Sequence, residues 1–196
     1  MTLSFYLATK NQNKVSEIQD ILKNTGILVK PAPDNIVFPE ETGNSFEENA
    51  LIKARHLKNF VSTEPVAGED SGLVVEKLGG LPGVISARFA GEPADDSKNI
   101  EKLLDLLSPC KDIKERKAKF ITIAALIIDG EEKIFKGEVN GFITFVARGT
   151  NGFGYDPVFE IPGIGRTFAE LTMEEKNRIS HRAIAFRKLA DYLLKR

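Results

Sequence analysis

Blocks of apolar residues separated by polar segments predict a protein that mixes helices and strands. Residues 3–8 form a short apolar run, typical of a buried strand, and the polar residues 9–14 follow it. Apolar residues then recur at helical spacing, at Val15, Ile18, Ile21 and Leu22. Gly26 is a suitable end for that helix, and a second strand over residues 27–30 would complete a β-α-β unit.

A second helix is marked by its first turn. Ser45 and Glu48 have the spacing of a capping box, which predicts a helix from there to about Phe60. Residues three and four apart are neighbours on a helix, and three polar residues therefore share one face: Asn49, Lys53 and His56.

The second half of the chain continues the mixed pattern. Apolar spacing predicts helices over residues 97–107 and 180–195. Residues 119–128 and 132–139 read as strands, and Asp129–Gly130 between them is a strong signal for a two-residue hairpin. Helices together with a hairpin indicate an α/β fold with a mixed sheet.

Two adjacent carboxylates, Glu69 and Asp70, follow the apolar stretch 65–67. We expect a strand to end there. Both acids would then lie at the end of that strand, in a turn that continues with Ser71 and Gly72. Paired carboxylates in that position suit a hard cation such as Mg²⁺ that bridges to phosphate. A solvated acidic turn is the alternative interpretation, and the motif alone favours it.

Composition limits the classes of function. The 196 residues suit a single domain over 1–196, and no repeat or linker-like segment marks a boundary. A formal net charge of −1 gives no general attraction to nucleic acid. One cysteine and two histidines argue against a disulfide, a cysteine-based zinc cluster or a multi-histidine metal site. No apolar run reaches membrane-spanning length and no signal segment is apparent, so we expect a cytoplasmic protein without a membrane partner.

Two other segments have residue types that suit a nucleotide. Residues 9–14 precede a helix, where free backbone N–H groups and the helix dipole attract anions. Residues 152–157 combine glycines with Phe153, whose ring can stack on a planar ligand, and with Asp156, which supplies a hydrogen-bond acceptor. A solvated connection and a tight turn with buried aromatics are the corresponding structural alternatives.

The order of these motifs along the chain resembles the inosine/xanthosine triphosphate pyrophosphatases. The resemblance covers nearly the whole sequence and is carried by the following segments: Ala8-Thr9-x-Asn11-x-x-Lys14, Glu40-Glu41-Thr42-Gly43, Phe46-x-Glu48-Asn49-Ala50-x-x-Lys53-Ala54, Glu69-Asp70-Ser71-Gly72, Gly79-Gly80-x-Pro82-Gly83, Ser86-Ala87-Arg88, Gly152-Phe153-Gly154-Tyr155-Asp156-Pro157, Glu174-Glu175-Lys176 and Ser180-His181-Arg182.

The resemblance implies a fold and an activity. The fold would be an elongated mixed sheet flanked by helices, with two lobes and a central active-site cleft. The activity would be hydrolysis of noncanonical purine nucleoside triphosphates (ITP, dITP, XTP) to the monophosphate and pyrophosphate. Mg²⁺ would be the cofactor, and the assembly would be a homodimer.

The resemblance also implies roles for individual residues. Asp70 would be the general base and a Mg²⁺ ligand, with Glu40 as the second carboxylate. Phosphates would be bound by Thr9, Lys10, Asn11, Gln12, Asn13 and Lys14, with help from Lys53, while Ser71 would also contact substrate. Phe153 would stack on the base, and the residues around the base and its 6-oxo group would be Asp156, Lys176, His181 and Arg182. Gly154 and Tyr155 would also bind substrate.

Two alternative functions use the same residues. One is a nucleotide sensor without catalytic activity, although a pure binder gains nothing from acids beside phosphates unless a metal is present. The other is a pyrophosphatase for a different nucleotide, such as a modified pyrimidine. Release of pyrophosphate with and without Mg²⁺ separates the first alternative from an enzyme.

Overall fold

A six-stranded mixed sheet forms the framework of the computed structural model, which describes residues 3–61 and 63–196. The strand order is β2-β1-β3-β4-β5-β6. The strands are β1 (Ser4–Ala8), β2 (Leu28–Pro31), β3 (Val66–Val75), β4 (Lys117–Ile128), β5 (Glu131–Ile143) and β6 (Phe159–Glu160). The α-helices are α1 (Gln12–Leu22), α2 (Phe46–Lys58), α3 (Asp96–Leu106), α4 (Met173–Ile179) and α5 (His181–Leu194). Strand β1 pairs in parallel with β2 and β3, whereas β5 and β6 are antiparallel, which confirms the predicted mixed α/β class.

The β-α-β unit at the start of the chain is confirmed. Leu7 lies opposite Pro31 of β2 and Ala67 of β3, so β1 is enclosed between two parallel partners. Asn11 caps α1 by accepting a hydrogen bond from the Lys14 backbone N–H. The apolar residues of α1 then face the sheet, as their helical spacing predicts.

Helix α2 begins at the predicted residue, but one of the two hydrogen bonds expected for a capping box has a different donor. The Ser45 hydroxyl accepts from the Glu48 backbone N–H, as in a capping box. The Glu48 carboxylate, however, accepts from the backbone N–H of Asn44 rather than that of Ser45. The acid therefore also ties the preceding loop to the helix start.

The predicted hairpin is present, and its strands are longer than the pattern indicated. Asp129 and Gly130 have φ values of 49° and 80°, the left-handed conformations that a two-residue hairpin turn requires. Strand β5 continues to Ile143, beyond the predicted end at residue 139. The short elements α4 and β6 were not predicted from the sequence, because neither is long enough to show a clear period.

The residues group into two compact units that are interleaved in the sequence. Unit 1 contains residues 1–70, 122–137 and 180–196, and unit 2 contains residues 71–121 and 138–179. The prediction of one domain over residues 1–196 stays a prediction.

Each unit has its own apolar core. In unit 1, Phe5 and Leu7 of β1 pack with Ile18 of α1 and with Phe186 and Leu189 of α5. The core of unit 2 contains three aromatic rings whose centroids lie 4.6–5.9 Å apart, those of Phe120, Phe159 and Phe168. Ring separations in this range are typical of aromatic packing in protein cores.

One buried cation organises the unit 2 core. The guanidinium of Arg116 donates to the backbone carbonyls of Leu107, Ile143 and Thr144 at 2.7–2.8 Å, and the residue is 2% exposed. These bonds give the buried guanidinium backbone partners in place of water. Burial lowers the pKa of Arg116 from its usual value.

The described helices give no sign of a membrane span. None of them, within residues 3–61 and 63–196, combines the length and the apolar composition that crossing a bilayer requires.

Candidate functional site

Glu69 and Asp70 lie inside a strand, so the prediction that they form a turn is wrong. Strand β3 runs from Val66 to Val75 without a break, and the two acids are 0% and 4% exposed. The pattern favoured a turn because glycine, serine and aspartate are rare in strands. Packing on both faces of β3 overrides that local preference.

Alternation along β3 sends the two adjacent carboxylates to opposite faces of the sheet. Ala67 belongs to the core formed with α1 and α5, so Glu69, two residues further on, shares that face. Gly68 abuts α2, where an added Cβ would lie only 2.0 Å from the carbonyl oxygen of Ala50. Asp70 shares the face of Gly68, and its partners accordingly come from α2.

Glu69 is held by cations from α1 and α5. Lys14 Nζ lies 2.6 Å from Glu69 Oε2, and Arg182 Nη2 lies 3.1 Å from Glu69 Oε1. Arg182 Nη1 also donates to Glu17 Oε2 at 2.8 Å. Glu17 and Glu69 are fully buried and Arg182 is 2% exposed, so the three side chains form a charged chain inside unit 1.

The balance of charge keeps Glu69 ionised. Burial opposes its ionisation, but Lys14 and Arg182 outweigh burial and hold the pKa of Glu69 well below its usual range. Glu69 therefore neutralises two cations and fixes the position of the Lys14 ammonium.

Asp70 is bound on the other face by two residues one turn apart on α2. Lys53 Nζ lies 3.0 Å from Asp70 Oδ1, and Asn49 Nδ2 donates to Asp70 Oδ2 at 3.3 Å. Lys53 Nζ also lies 2.6 Å from Oε1 of Glu41, in the loop before α2. The carboxylates of Asp70 and Glu41 thus converge on one buried ammonium.

The charges around Lys53 shift the proton affinities of its neighbours. Burial raises the pKa of Asp70, Lys53 opposes that effect, and Glu41 adds to it. For Lys53, burial favours the neutral amine, but Asp70 and Glu41 prevail and the pKa of Lys53 is raised. Lys53 is therefore a permanent cation between two acids.

The segment predicted to bind phosphate lies at the start of α1. Asn11 is the N-cap, and its backbone N–H donates to the Thr9 hydroxyl at 3.1 Å. Four residues of the segment are exposed: Lys10, Asn11, Gln12 and Asn13. The Lys10 ammonium contacts the carbonyl oxygens of Pro33 and Asp34 at 2.7 and 3.0 Å.

Unit 2 holds five of the residues predicted to bind the base, whereas His181 and Arg182 belong to unit 1: the five are Phe153, Gly154, Tyr155, Asp156 and Lys176. Lys176 Nζ lies 2.6 Å from Asp156 Oδ2, and both side chains are buried. The same carboxylate oxygen accepts the backbone N–H of Phe153 at 3.0 Å. Gly152 is required here, because φ is +75° and an added Cβ would lie 2.0 Å from Asp156 Oδ2. Asp156 thus fixes both the loop and the lysine.

Two further bonds anchor that loop. The Tyr155 hydroxyl donates to the Ser86 carbonyl at 2.9 Å, and the Gly154 N–H donates to Asp96 Oδ2 at 2.7 Å. Burial, aided by Asp96, raises the pKa of Tyr155, so its phenol stays protonated. Neither Tyr155 nor Asp156 is exposed beyond 4%, which suits them for holding the loop in shape.

A cavity of about 290 Å³ opens beside the loop. Its walls include Gly152, Phe168 and Lys176. The Lys176 ammonium lies 5.1 Å from the centre of the Phe153 ring, which is partly buried. A cation, an aromatic face and a cavity therefore occur together in unit 2.

The remaining predicted residues are placed as follows. Glu40 is exposed, and the neighbouring acid Glu41 is the one that contacts Lys53. Ser71 follows Asp70 in β3 and is partly buried. His181 is 3% exposed at the first position of α5.

Glu17 and Asn49 belong to the two charged groups, but the sequence did not predict them as site residues. Glu17 is an acid flanked by the apolar residues Val15 and Ile18, a position that suggests a buried partner. Asn49 is one helical turn before Lys53, and this spacing indicates that the two side chains share a face of α2.

We expect the Glu69→Gln variant to lose stability in a pH-dependent way. Because the folded-state pKa lies below the ordinary value of 4.5, ionised Glu69 stabilises the fold fully above that pH and progressively less below it. At pH 7 the free energy of unfolding of the variant should be about 3–5 kcal/mol lower than that of the unmodified protein. This difference should shrink as the pH falls below about 4.5. Urea unfolding of the variant and of the unmodified protein, at about five pH values between pH 3 and pH 7, measures this difference.

The matched control is Glu132→Gln, which breaks the exposed ion pair with Arg55. Solvent screens that pair, so its loss should cost less than about 1 kcal/mol. A Glu69→Gln difference that stayed constant over the whole pH range would contradict the assignment of Glu69 as the ionised partner of Lys14 and Arg182.

Comparison with known proteins places the chain in a family. The model of the Ham1 family matches residues 5–192. The dITP/XTP pyrophosphatase of Caldanaerobacter subterraneus subsp. tengcongensis is 49% identical over 196 residues, covering 99% of this chain and 98% of that protein. The Bacillus subtilis protein of the same name is 47% identical over 191 residues, covering 95% of each chain. The solved structure of a HAM1 protein from Coxiella burnetii superposes with a TM-score of 0.86 at 40% identity, covering 99% of this chain and 100% of that one. With this agreement over nearly its full length, the chain belongs to the Ham1 family.

Proposed function

We propose that this protein hydrolyses noncanonical purine nucleoside triphosphates, such as dITP, ITP and XTP, to the monophosphate and pyrophosphate. The observation that carries the proposal is the convergence of Asp70 and Glu41 on Lys53 in unit 1. A buried carboxylate beside fixed cations suits hydrolysis of a phosphoric anhydride. The name dITP/XTP pyrophosphatase borne by relatives of 47–49% identity supports the substrate class.

The triphosphate is bound at the start of α1. The segment of residues 9–14, of which residues 10–13 are exposed, offers backbone N–H groups and the positive end of the helix dipole. Lys14 adds a charge whose position Glu69 fixes. Lys53 supplies a second ammonium, from α2. Together these groups neutralise the charge that develops on the phosphates during hydrolysis.

The residues around Asp70 fit a magnesium ion. Among the described residues no group of three or more His, Cys, Asp or Glu side chains is arranged to hold a metal. Mg²⁺, however, is commonly bound by one or two carboxylates together with substrate phosphates. The carboxylates of Asp70 and Glu41 already converge on a cation, the ammonium of Lys53. When bound, Mg²⁺ would neutralise phosphate charge and orient the triphosphate.

Asp70 is the general base. Its carboxylate is oriented by Lys53 at one oxygen and by Asn49 at the other. It takes the proton of the water that attacks the α-phosphorus, and pyrophosphate leaves.

The purine base is read in unit 2. Phe153 stacks on the ring, and Lys176 donates to the oxygen at position 6. An ammonium is a donor only, so it matches a 6-oxo group and repels a 6-amino group. Gly154, Tyr155 and Asp156 hold that arrangement in place. Contacts of Ser71, His181 and Arg182 with substrate stay predictions from the family resemblance, as do the homodimer and the cytoplasmic location.

The substrate class is tested by measuring pyrophosphate release from ITP, dITP, XTP, GTP and ATP, with and without Mg²⁺. We expect Mg²⁺-dependent release with a kcat/KM for ITP that exceeds that for ATP by about 10²-fold or more, because the 6-amino group meets a donor. Equal kcat/KM values for ATP and ITP would contradict the proposed recognition of the 6-oxo group. Tight nucleotide binding without release would identify a sensor, and preference for a modified pyrimidine would identify a different pyrophosphatase.

The role of Asp70 is tested by the Asp70→Asn variant. We expect kcat for ITP to fall by about 10²–10⁴-fold, since a general base contributes a factor of that size. Substrate should still bind, because the phosphate-binding segment and unit 2 are unchanged. Single-turnover kinetics and equilibrium binding of ITP measure the two effects, and Asp191→Asn, at an exposed position of α5, is the control. Turnover near that of the unmodified protein would remove Asp70 from this role.

The neighbouring acids Glu40 and Glu41 form a matched pair for locating the second metal ligand. The resemblance assigned Glu40, but Glu41 is the acid that shares Lys53 with Asp70. We therefore expect Glu41→Gln to raise the Mg²⁺ concentration for half-maximal activity by about 10-fold or more, and Glu40→Gln to change it much less. Titration of activity with Mg²⁺ measures both. The reverse order would restore Glu40 as the ligand.

A further inference from the structure

Asn49 uses both ends of its amide inside unit 1, and it is fully buried. Its Nδ2 donates to Asp70 Oδ2 at 3.3 Å, and its Oδ1 accepts the backbone N–H of Gly43 at 2.8 Å. A backbone N–H can only donate and an ionised carboxylate can only accept, so the two contacts define the orientation of the amide. The two bonds need one donor and one acceptor, and the amide of Asn49 supplies them on separate atoms.

The loop before α2, which contains Glu41 and Gly43, packs closely against this amide. A Cβ on Gly43 would lie 2.6 Å from Asn49 Oδ1 and 2.7 Å from the Cβ of Glu48. Glycine is needed here for space rather than for an unusual backbone angle. The backbone of the loop can therefore approach α2 closely enough for its N–H to reach Asn49.

Two bridges join this loop to Asp70, and both start from α2. Asn49 links Gly43 to Asp70 Oδ2, and Lys53, one turn later, links Glu41 to Asp70 Oδ1. Residues four apart lie on one helix face, so α2 presents both bridges in the same direction. The bridges differ in charge. A cation bound between Asp70 and Glu41 would compete with Lys53 for the same oxygens, whereas it would leave the neutral Asn49 bridge in place.

We propose that Asn49 is a positioning residue that orients the Asp70 carboxylate and holds the loop carrying Glu41 at a fixed distance from it. This inference rests on the proposed function of Asp70. Asn49 would act through its hydrogen bonds to Asp70 and Gly43. It keeps the two carboxylates in register for a divalent cation and for the attacking water.

The test compares Asn49→Ala with Ser45→Ala in the full chain. Ser45 caps the same helix by accepting the Glu48 N–H, so its loss weakens α2 without removing a contact to Asp70. Mn²⁺ binding to the substrate-free protein, followed by electron paramagnetic resonance, reports the carboxylate pair directly. Steady-state hydrolysis of ITP reports kcat and KM, and thermal unfolding reports stability.

We expect Asn49→Ala to weaken Mn²⁺ binding by about 10-fold or more, as loss of a residue that orients metal ligands commonly does. Its kcat should fall by about 10²-fold, because a small displacement of a catalytic group has an effect of that size, while KM changes much less. Ser45→Ala should lower the melting temperature and change Mn²⁺ affinity and kcat less than about twofold, since the cap contributes to helix stability only.

A second variant, Gly43→Ala, breaks the same bridge from the loop side and keeps the assay decisive if Asn49→Ala does not fold. Its added Cβ displaces the loop, so Mn²⁺ binding should weaken while Asn49 and Asp70 are both intact. Unchanged Mn²⁺ affinity in Gly43→Ala, or identical behaviour of Asn49→Ala and Ser45→Ala in all three measurements, would overturn the inference. Failure of the proposed function gives a different result: the unmodified protein would release no pyrophosphate from any of the nucleotides.

Discussion

Charge compensation inside unit 1 is the constraint on which the arrangement of this protein depends. Two adjacent carboxylates are buried in β3, and a buried carboxylate is tolerated only when cations or hydrogen-bond donors replace its water. Strand alternation directs Glu69 to α1 and α5 and directs Asp70 to α2. Three helices are therefore tied electrostatically to one strand, in addition to their apolar packing.

The same alternation separates two chemical tasks that the sequence places side by side. Both oxygens of Glu69 face cations, so this acid is committed to holding Lys14 and Arg182. Asp70 has a raised pKa and shares Lys53 with a second acid, which leaves its carboxylate the more basic of the two. A single pair of neighbouring residues thus supplies a fixed anchor, Glu69, and the carboxylate proposed as the general base, Asp70.

The sequence predicted the elements with long apolar periods and the residues of local motifs, but not the partners that tertiary packing provides. Spacing placed α1, α5 and the Asp129–Gly130 hairpin, because their signals lie within a few residues. The turn predicted at Glu69–Asp70 was wrong, because helices packed on both faces stabilise a strand that local propensity disfavours. The pairing of Glu17 with Arg182 spans 165 positions, and no local pattern reveals a contact of that range.

Lys53 supplies from within the chain the positive charge that the two acids beside it need. Its ammonium lies between Asp70 and Glu41, so the chain carries its own counter-charge for these acids. Many small metal-binding domains cannot fold until an ion neutralises their ligands. Here the charge of the acids is compensated by Lys53 of the same chain, so their burial does not require a divalent ion. The two acids therefore have a counter-charge in place before any divalent ion arrives.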